Sequence, residues 1–233
     1  MGNLFTKEKW QVALEVLQEE IPAALLDTAY LTLLATFFAV LIGLPLGVLL
    51  VAGDKNGVLP LPRFVLSILN GIINVLRSVP FLILMIVVMP LSELITGTRI
   101  GTVAFMVPLV IAAFPFIARL VETSLRELNP NIIEMAQSMG ATPFQIIWKV
   151  MLPECVPSLV SNLTIAITTI LGYTAMSAAI GGDGLGKIAI NYGYYRYNYP
   201  VMILAVVVLI LLVQIFQSIG TYLASKLDRR QKH

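Results

Sequence analysis

The chain has 233 residues, 58% of them hydrophobic and only 12% charged, with a formal net charge of +2 and a mean hydropathy of +0.89. A soluble domain carries roughly 25% charged residues, so the composition excludes a soluble enzyme of this size and points to the bilayer as solvent. The small net charge also argues against a nucleic-acid partner, which needs a basic face. One cysteine, Cys155, allows no intrachain disulfide and no Cys-rich metal site. The only histidine, His233, is the last residue, and chain ends fray. No held imidazole is therefore available for a Ser-His-Asp or Cys-His arrangement, and no catalytic, metal or cofactor-binding residue is expected on this chain.

Residues 1–27 do not read as a signal peptide, because Glu8, Glu15, Glu19 and Glu20 stand where a basic and then an apolar region should run. Trp10, Leu14, Leu17 and Ile21 recur at helical spacing, which predicts an amphipathic extension lying on the outer membrane surface. A solvated extension leading into the first span fits the same residues.

A helix crossing the hydrocarbon core needs about 20 apolar residues. Five windows qualify or come close: 28–53, 64–92, 100–118, 155–182 and 197–225. The second is interrupted by Arg77 and Pro80, so residues 64–75 read as a half-inserted helix and 80–91 as its deeper part. Arg77 either snorkels to the interface or pairs with a carboxylate among the helices. Gly43 and Gly47 form a G-x-x-x-G spacing in the first span, with Pro45 between them.

Five spans put the termini on opposite sides, and the basic residues choose the orientation. Lys55, Arg63, Arg77, Arg119, Arg126, Lys149, Lys226, Arg229, Arg230 and Lys232 fall on one side, ten in all, against five on the other: Lys7, Lys9, Arg99, Lys187 and Arg196. The ten belong inside. The N-terminus is then outside, and the 119–154 connection and the basic tail 226–233 are cytoplasmic.

That connection carries clear helix punctuation. Asn129 can cap a helix with Pro130 at its first position, and Gly140 can end it in a left-handed conformation. Thr142 caps a second helix, with Pro143 first and Gln145 closing a capping box, and Pro153 limits its far end. The first helix is apolar at Ile132, Ile133, Met135, Ala136 and Met139, with Glu134 its one ionised group. A helix so apolar outside the membrane needs a partner, or must pack on the bundle.

In the fourth span, Asn162, Thr169, Tyr173, Met176 and Ser177 lie near one helical stripe. They read either as a pathway wall, with Tyr173 and Met176 at an outer gate, or as small polar groups knitting helices together. After them, residues 181–187 fit the first part of a phosphate-binding loop. Ile188 replaces the Ser or Thr that would hold magnesium, so a tight glycine turn is the expectation.

Glu134-Met135-Ala136, then Gly140, then nine residues and Val150-x-Leu152-Pro153, resembles the E-A-A-x3-G-x9-I-x-L-P loop of binding-protein-dependent ABC importer permeases. It departs at Met135 and Val150, both apolar replacements. Arg77-Ser-Val-Pro80-Phe81, Pro115-Phe116-Ile-Ala-Arg119, Gly172-Tyr173-Thr174-Ala175-Met176, Gly184-Leu185-Gly186 and Tyr192-Gly193-Tyr194 are similar to the permease subunit of methionine importers. The resemblance implies that Glu134, Met135, Ala136, Met139 and Gly140 form a coupling helix inserted into a separate ATPase. It also implies a second copy of the permease, two ATPase copies holding ATP and magnesium, and an external methionine-binding lipoprotein.

The expected protein is thus an all-α, five-span subunit of the bacterial inner membrane, with one permease domain at 28–225. Import of another amino acid or an osmoprotectant would use the same architecture. An ion-coupled secondary transporter usually places Asp or Glu within its spans, and the five windows inside which this chain would cross hold none. A membrane scaffold would leave the capped apolar helix unexplained.

Overall fold

The computed structural model describes residues 5–99 and 101–228, and every regular element among them is helical. The α-helices, in chain order, are α1 (Lys7–Glu19), α2 (Ile21–Ala52), α3 (Arg63–Ser78), α4 (Phe81–Thr96), α5 (Thr102–Arg126), α6 (Pro130–Ser138), α7 (Pro143–Ile146), α8 (Leu152–Ser177), α9 (Leu185–Ile188) and α10 (Tyr199–Leu227), with π-helices at Ile147–Met151 and Ala189–Tyr195 and a 3-10 turn at Ala178–Ile180. Ile100 and the tail residues Arg229, Arg230, Lys232 and His233 lie outside the described residues. Among the described residues, four helical stretches are long and apolar enough to span a membrane: 21–52, 102–126, 143–180 and 199–227. The bent pair α3–α4 would make a fifth if it counts as one span. The backbone leaves the helical region at Val79 and Pro80, both with ψ near 130°, and Pro80 then opens α4. Arg77 is exposed at the end of α3.

Two compact units are built from these helices. The first comprises Met1–Thr36, Pro80–Val110 and Ile167–Phe216. Its core joins Ala13, Val16, Ile21 and Ala24 to Leu185, Ile188, Val201 and Ala205. The N-terminal segment therefore buries Ala13 and Val16, whereas Trp10 and Leu14, expected on the apolar face, are 42% and 54% exposed. Small side chains let the helix axes approach, and the bulky pair is left outside the contact. α2 begins at Ile21, because helical geometry continues beyond the charge-free stretch through Pro22 and Asp27. The buried Thr28 and Thr36 hydroxyls donate to the carbonyls of Ala24 and Thr32 at 2.8 and 2.7 Å, which satisfies polar groups that lipid could not.

The second unit comprises Phe37–Val79, Ile111–Ala166 and Gln217–His233. Leu50, Ile73 and Ala118 form a buried cluster within it, with Leu46 and Leu69 packed against them. The glycine spacing of α2 meets α5 of the same chain: a Cβ on Gly43 would lie 2.7 Å from the Phe114 carbonyl oxygen. Pro153 does not stop the second loop helix as its position suggested. Helix continues from Pro143 to Ile180, because residues Ile147–Met151 widen into a π-helix in which Leu152 N–H donates to Ile147. Such a turn re-registers the ladder ahead of the ring that has no N–H to offer.

Candidate functional site

Within the 119–154 connection, the segment between α5 and α8 is built by its caps. Asn129 accepts from the Asn131 N–H at 3.0 Å, with Pro130 first in α6. Gly140 has φ +78°, its N–H donates to Gln137, and the Ala141 N–H reaches back to Ala136 at 3.1 Å. That is a glycine-ended helix stop. Thr142 N–H donates to Gln145 Oε1 at 2.9 Å, and Gln145 N–H donates to Thr142 Oγ1 at 3.4 Å, completing the capping box.

This bend divides the expected apolar face. Met135 and Met139 are 58% and 74% exposed, but Ala136 is 3% exposed on a helix that packs against α7 and the π-helix. Ala136 is thus a spacer that lets α6 sit close, and the methionines face outward with Glu134. Two aromatic residues that sequence reasoning left aside extend this surface: Phe144 and Trp148 are exposed, with ring centroids 6.1 Å apart. Their i, i+4 spacing across a capped helix was the available signal.

The connection is anchored at the end of α5. Arg119 donates to Asn70 and Asn74 of α3, both at 2.8 Å, and pairs with Glu122. Arg126 bridges Glu122 at 3.0 Å and Asp54 at 3.2 Å. Asp54 is held below the ordinary carboxylate range by the Lys55 N–H and then by Arg126. In the same unit, a cavity of about 380 Å³ is lined by Ser124, Glu127, Glu154, Ser158 and Asp228. Cys155 is buried beside it and donates to the Ser124 carbonyl at 3.2 Å.

The stripe on α8 is not uniform. Asn162 donates to Ser124 Oγ at 2.8 Å and to the Leu120 carbonyl, so its amide ties α8 to α5. Ser177 is buried and donates to Thr174 O at 2.7 Å. Thr169 is half-buried. Tyr173 stacks on Phe81, with centroids 4.2 Å apart and planes 7° apart. Met176, one turn on, is 49% exposed. The structure thus brings Tyr173 and Met176 together on the open side and adds Phe81, which follows the helix-breaking Pro80.

The 181–187 segment is a glycine turn. Gly181 and Gly184 have φ +99° and +98°, and a Cβ on Gly184 would lie 2.4 Å from Thr28 Oγ1. That hydroxyl instead accepts the Leu185 N–H at 2.9 Å. Lys187 pairs with Asp183 at 2.7 Å and is engaged within the turn. Among the described residues no three His, Cys, Asp or Glu side chains converge as metal ligands.

Comparison with known proteins gives this architecture its context. Residues 43–231 match the family described as "Binding-protein-dependent transport system inner membrane component". The chain is 47% identical to a probable D-methionine transport system permease protein of Vibrio cholerae, over 88% of this chain and 90% of that protein. It is 41% identical to the methionine import system permease protein of Bacillus subtilis, over 70% and 74%. Among solved structures, an inward-facing conformation of the MetNI methionine ABC transporter aligns with a TM-score of 0.85 and 41% identity, covering 87% of this chain and 94% of that one. With its long apolar helices and this match over most of its length, the chain belongs to the family of inner-membrane components of binding-protein-dependent transport systems and is a multi-pass, all-helical membrane protein.

Proposed function

We propose that this chain is the permease subunit of an ATP-driven methionine importer. Two copies form the translocation pathway, with α3 and α4 together counting as one of five spans. The N-terminus lies outside, and the 119–154 connection and the tail lie in the cytoplasm. Two copies of a separate ATPase hold ATP and magnesium and grip the exposed Met135, Met139 and Glu134 of α6. An external methionine-binding lipoprotein delivers the cargo. Near-full-length identity to the Vibrio cholerae D-methionine permease is the observation that carries the reading, and the capped, outward-facing helix supports it.

The work follows from differential binding. ATP draws the two ATPases together, and the rigid Gly140 bend transmits that movement to α5 and α8, which flank the connection. The cytoplasmic side closes and the outer side opens. Tyr173 and Met176 form the outer gate, Thr169 lines the wall, and Asn162 and Ser177 hold α8 in shape. Residues 1–27 form an outer extension, and 28–225 form the permease domain.

The test is uptake of labelled methionine by the complex in proteoliposomes, with ATP inside and the lipoprotein outside. Competition by unlabelled methionine alone supports the reading. Competition by a different amino acid or by an osmoprotectant, with methionine inert, reassigns the cargo. Uptake that persists without ATP but follows an ion gradient overturns the mechanism.

A further inference from the structure

The open face of α8 carries an unusual combination of side chains. Tyr173 and Phe81 lie ring on ring. Three residues beyond Tyr173, on the same helical face, the Met176 thioether is half exposed. Gly172 sits one turn before Met176, and a Cβ built on it would meet nothing within 4 Å. Among the described residues, no other segment of the same chain covers the α8 face at Gly172. Nearby hydroxyls are committed elsewhere: Thr174 donates to Leu171 O and Ser177 to Thr174 O, each at 2.7 Å. What remains open is soft and polarisable, with few hydrogen-bonding groups.

We infer that the Phe81–Tyr173 stack and Met176 form a subsite on the pathway wall that receives the thioether side chain of the cargo. This rests on the methionine-import reading above. Sulfur makes favourable contacts at the edges of aromatic rings, about 5 Å from the ring, and a second thioether is an equally polarisable neighbour. Stacking fixes both rings, so the edges are presented without ordering cost when the cargo arrives. The subsite gives the permease its own preference for sulfur, separate from that of the external binding protein. Phe81 and Tyr173 are specificity-determining residues in this account.

The complex in proteoliposomes, with its binding protein saturated in turn by methionine and by norleucine, isolates that preference. Norleucine replaces the sulfur with a methylene of similar volume. Maximal uptake of methionine should exceed that of norleucine by about two- to tenfold, the range expected of a sulfur–aromatic contact. Phe81→Leu and Tyr173→Leu should each bring the ratio close to one, while Tyr173→Phe, which keeps the ring, should hold it. Selenomethionine, with a more polarisable atom, should match or exceed methionine in the unmodified complex, and this comparison needs no variant to assemble. A ratio of one in the unmodified complex overturns the subsite, as does selenomethionine behaving like norleucine. A leucine variant that keeps the full ratio overturns it too. In all three cases methionine uptake itself persists. Absence of methionine uptake by the unmodified complex instead overturns the import reading.

Discussion

Gly47 on α2 meets Ala118 on α5 so closely that a Cβ on the glycine would lie 2.6 Å from the Ala118 carbonyl oxygen and 2.6 Å from Val121 Cβ. In lipid the hydrophobic effect does little to hold helices together, and close packing of small residues takes its place. Gly47→Ala sets a methyl against backbone that cannot move aside. An overpacking cost of about 1–3 kcal/mol is expected, seen as a lower unfolding temperature of the purified protein. Gly71→Ala is the control, since a Cβ there meets nothing within 4 Å, and it should be neutral or slightly stabilising. Equal behaviour of the two variants would mean that α2 and α5 do not pack this way.

The glycine spacing was visible in the sequence, but its partner was not, because a spacing specifies a close approach without naming the surface approached. The apolar windows were legible because the bilayer demands length and charge depletion together. Helix ends were less so: α2 starts at Ile21, since backbone hydrogen bonding continues past the point where charge becomes acceptable. Pro153 reads as a stop only if the ladder before it is α-helical, and the π-helix at Ile147–Met151 removes that condition. The caps of the connection were fully legible because each rests on residues within five positions. The pairing of Phe81 with Tyr173 was not, because the two lie 92 positions apart and neither motif names the other as its partner.

The proposed orientation rests on the ten-to-five division of basic residues. A reporter active only in the cytoplasm should work when fused after His233 and fail when fused before Lys7. Equal activity at both ends would remove the five-span topology.

Tyr192 donates to Glu20 at 2.5 Å, linking the π-helix Ala189–Tyr195 to the end of the N-terminal segment. That bond, and then partial burial, raise the phenol above its ordinary range, with Arg196 acting in the opposite direction. A raised folded-state value means that the link stabilises fully below the ordinary phenol range and is lost as pH rises through the raised one. Absorbance titration, compared with Tyr192→Phe, should show this phenolate forming late. Glu20→Gln should bring it earlier, and an unchanged titration would break the link.

Met176 is half exposed one turn beyond the Phe81–Tyr173 stack. If it seals the outer path, Met176→Ala should raise ATP hydrolysis in the absence of cargo, or raise leak, by several-fold. Normal assembly with unchanged transport and basal hydrolysis would make it a packing residue.

Gly140 decides where α6 points. Its φ of +78° is open to glycine and costly to β-branched residues, and no neighbour crowds the position. Gly140→Val therefore acts through backbone strain of about 1–3 kcal/mol, at a site outside the candidate spans. Insertion and dimerisation should survive, while the helix carrying Met135 and Met139 is misdirected. The expected phenotype is weak ATPase association, or an associated complex that hydrolyses ATP without moving cargo. Gly140→Asn should retain much of the function, because asparagine tolerates the left-handed conformation at a helix end. Glu134→Lys should act like Gly140→Val, since it reverses the charge on the exposed side of α6 beside Met135. Co-purification of the ATPase followed by uptake in proteoliposomes separates these outcomes. Full association and full uptake with Gly140→Val would mean that the connection does not carry the stroke, and the exposed methionines would need another partner.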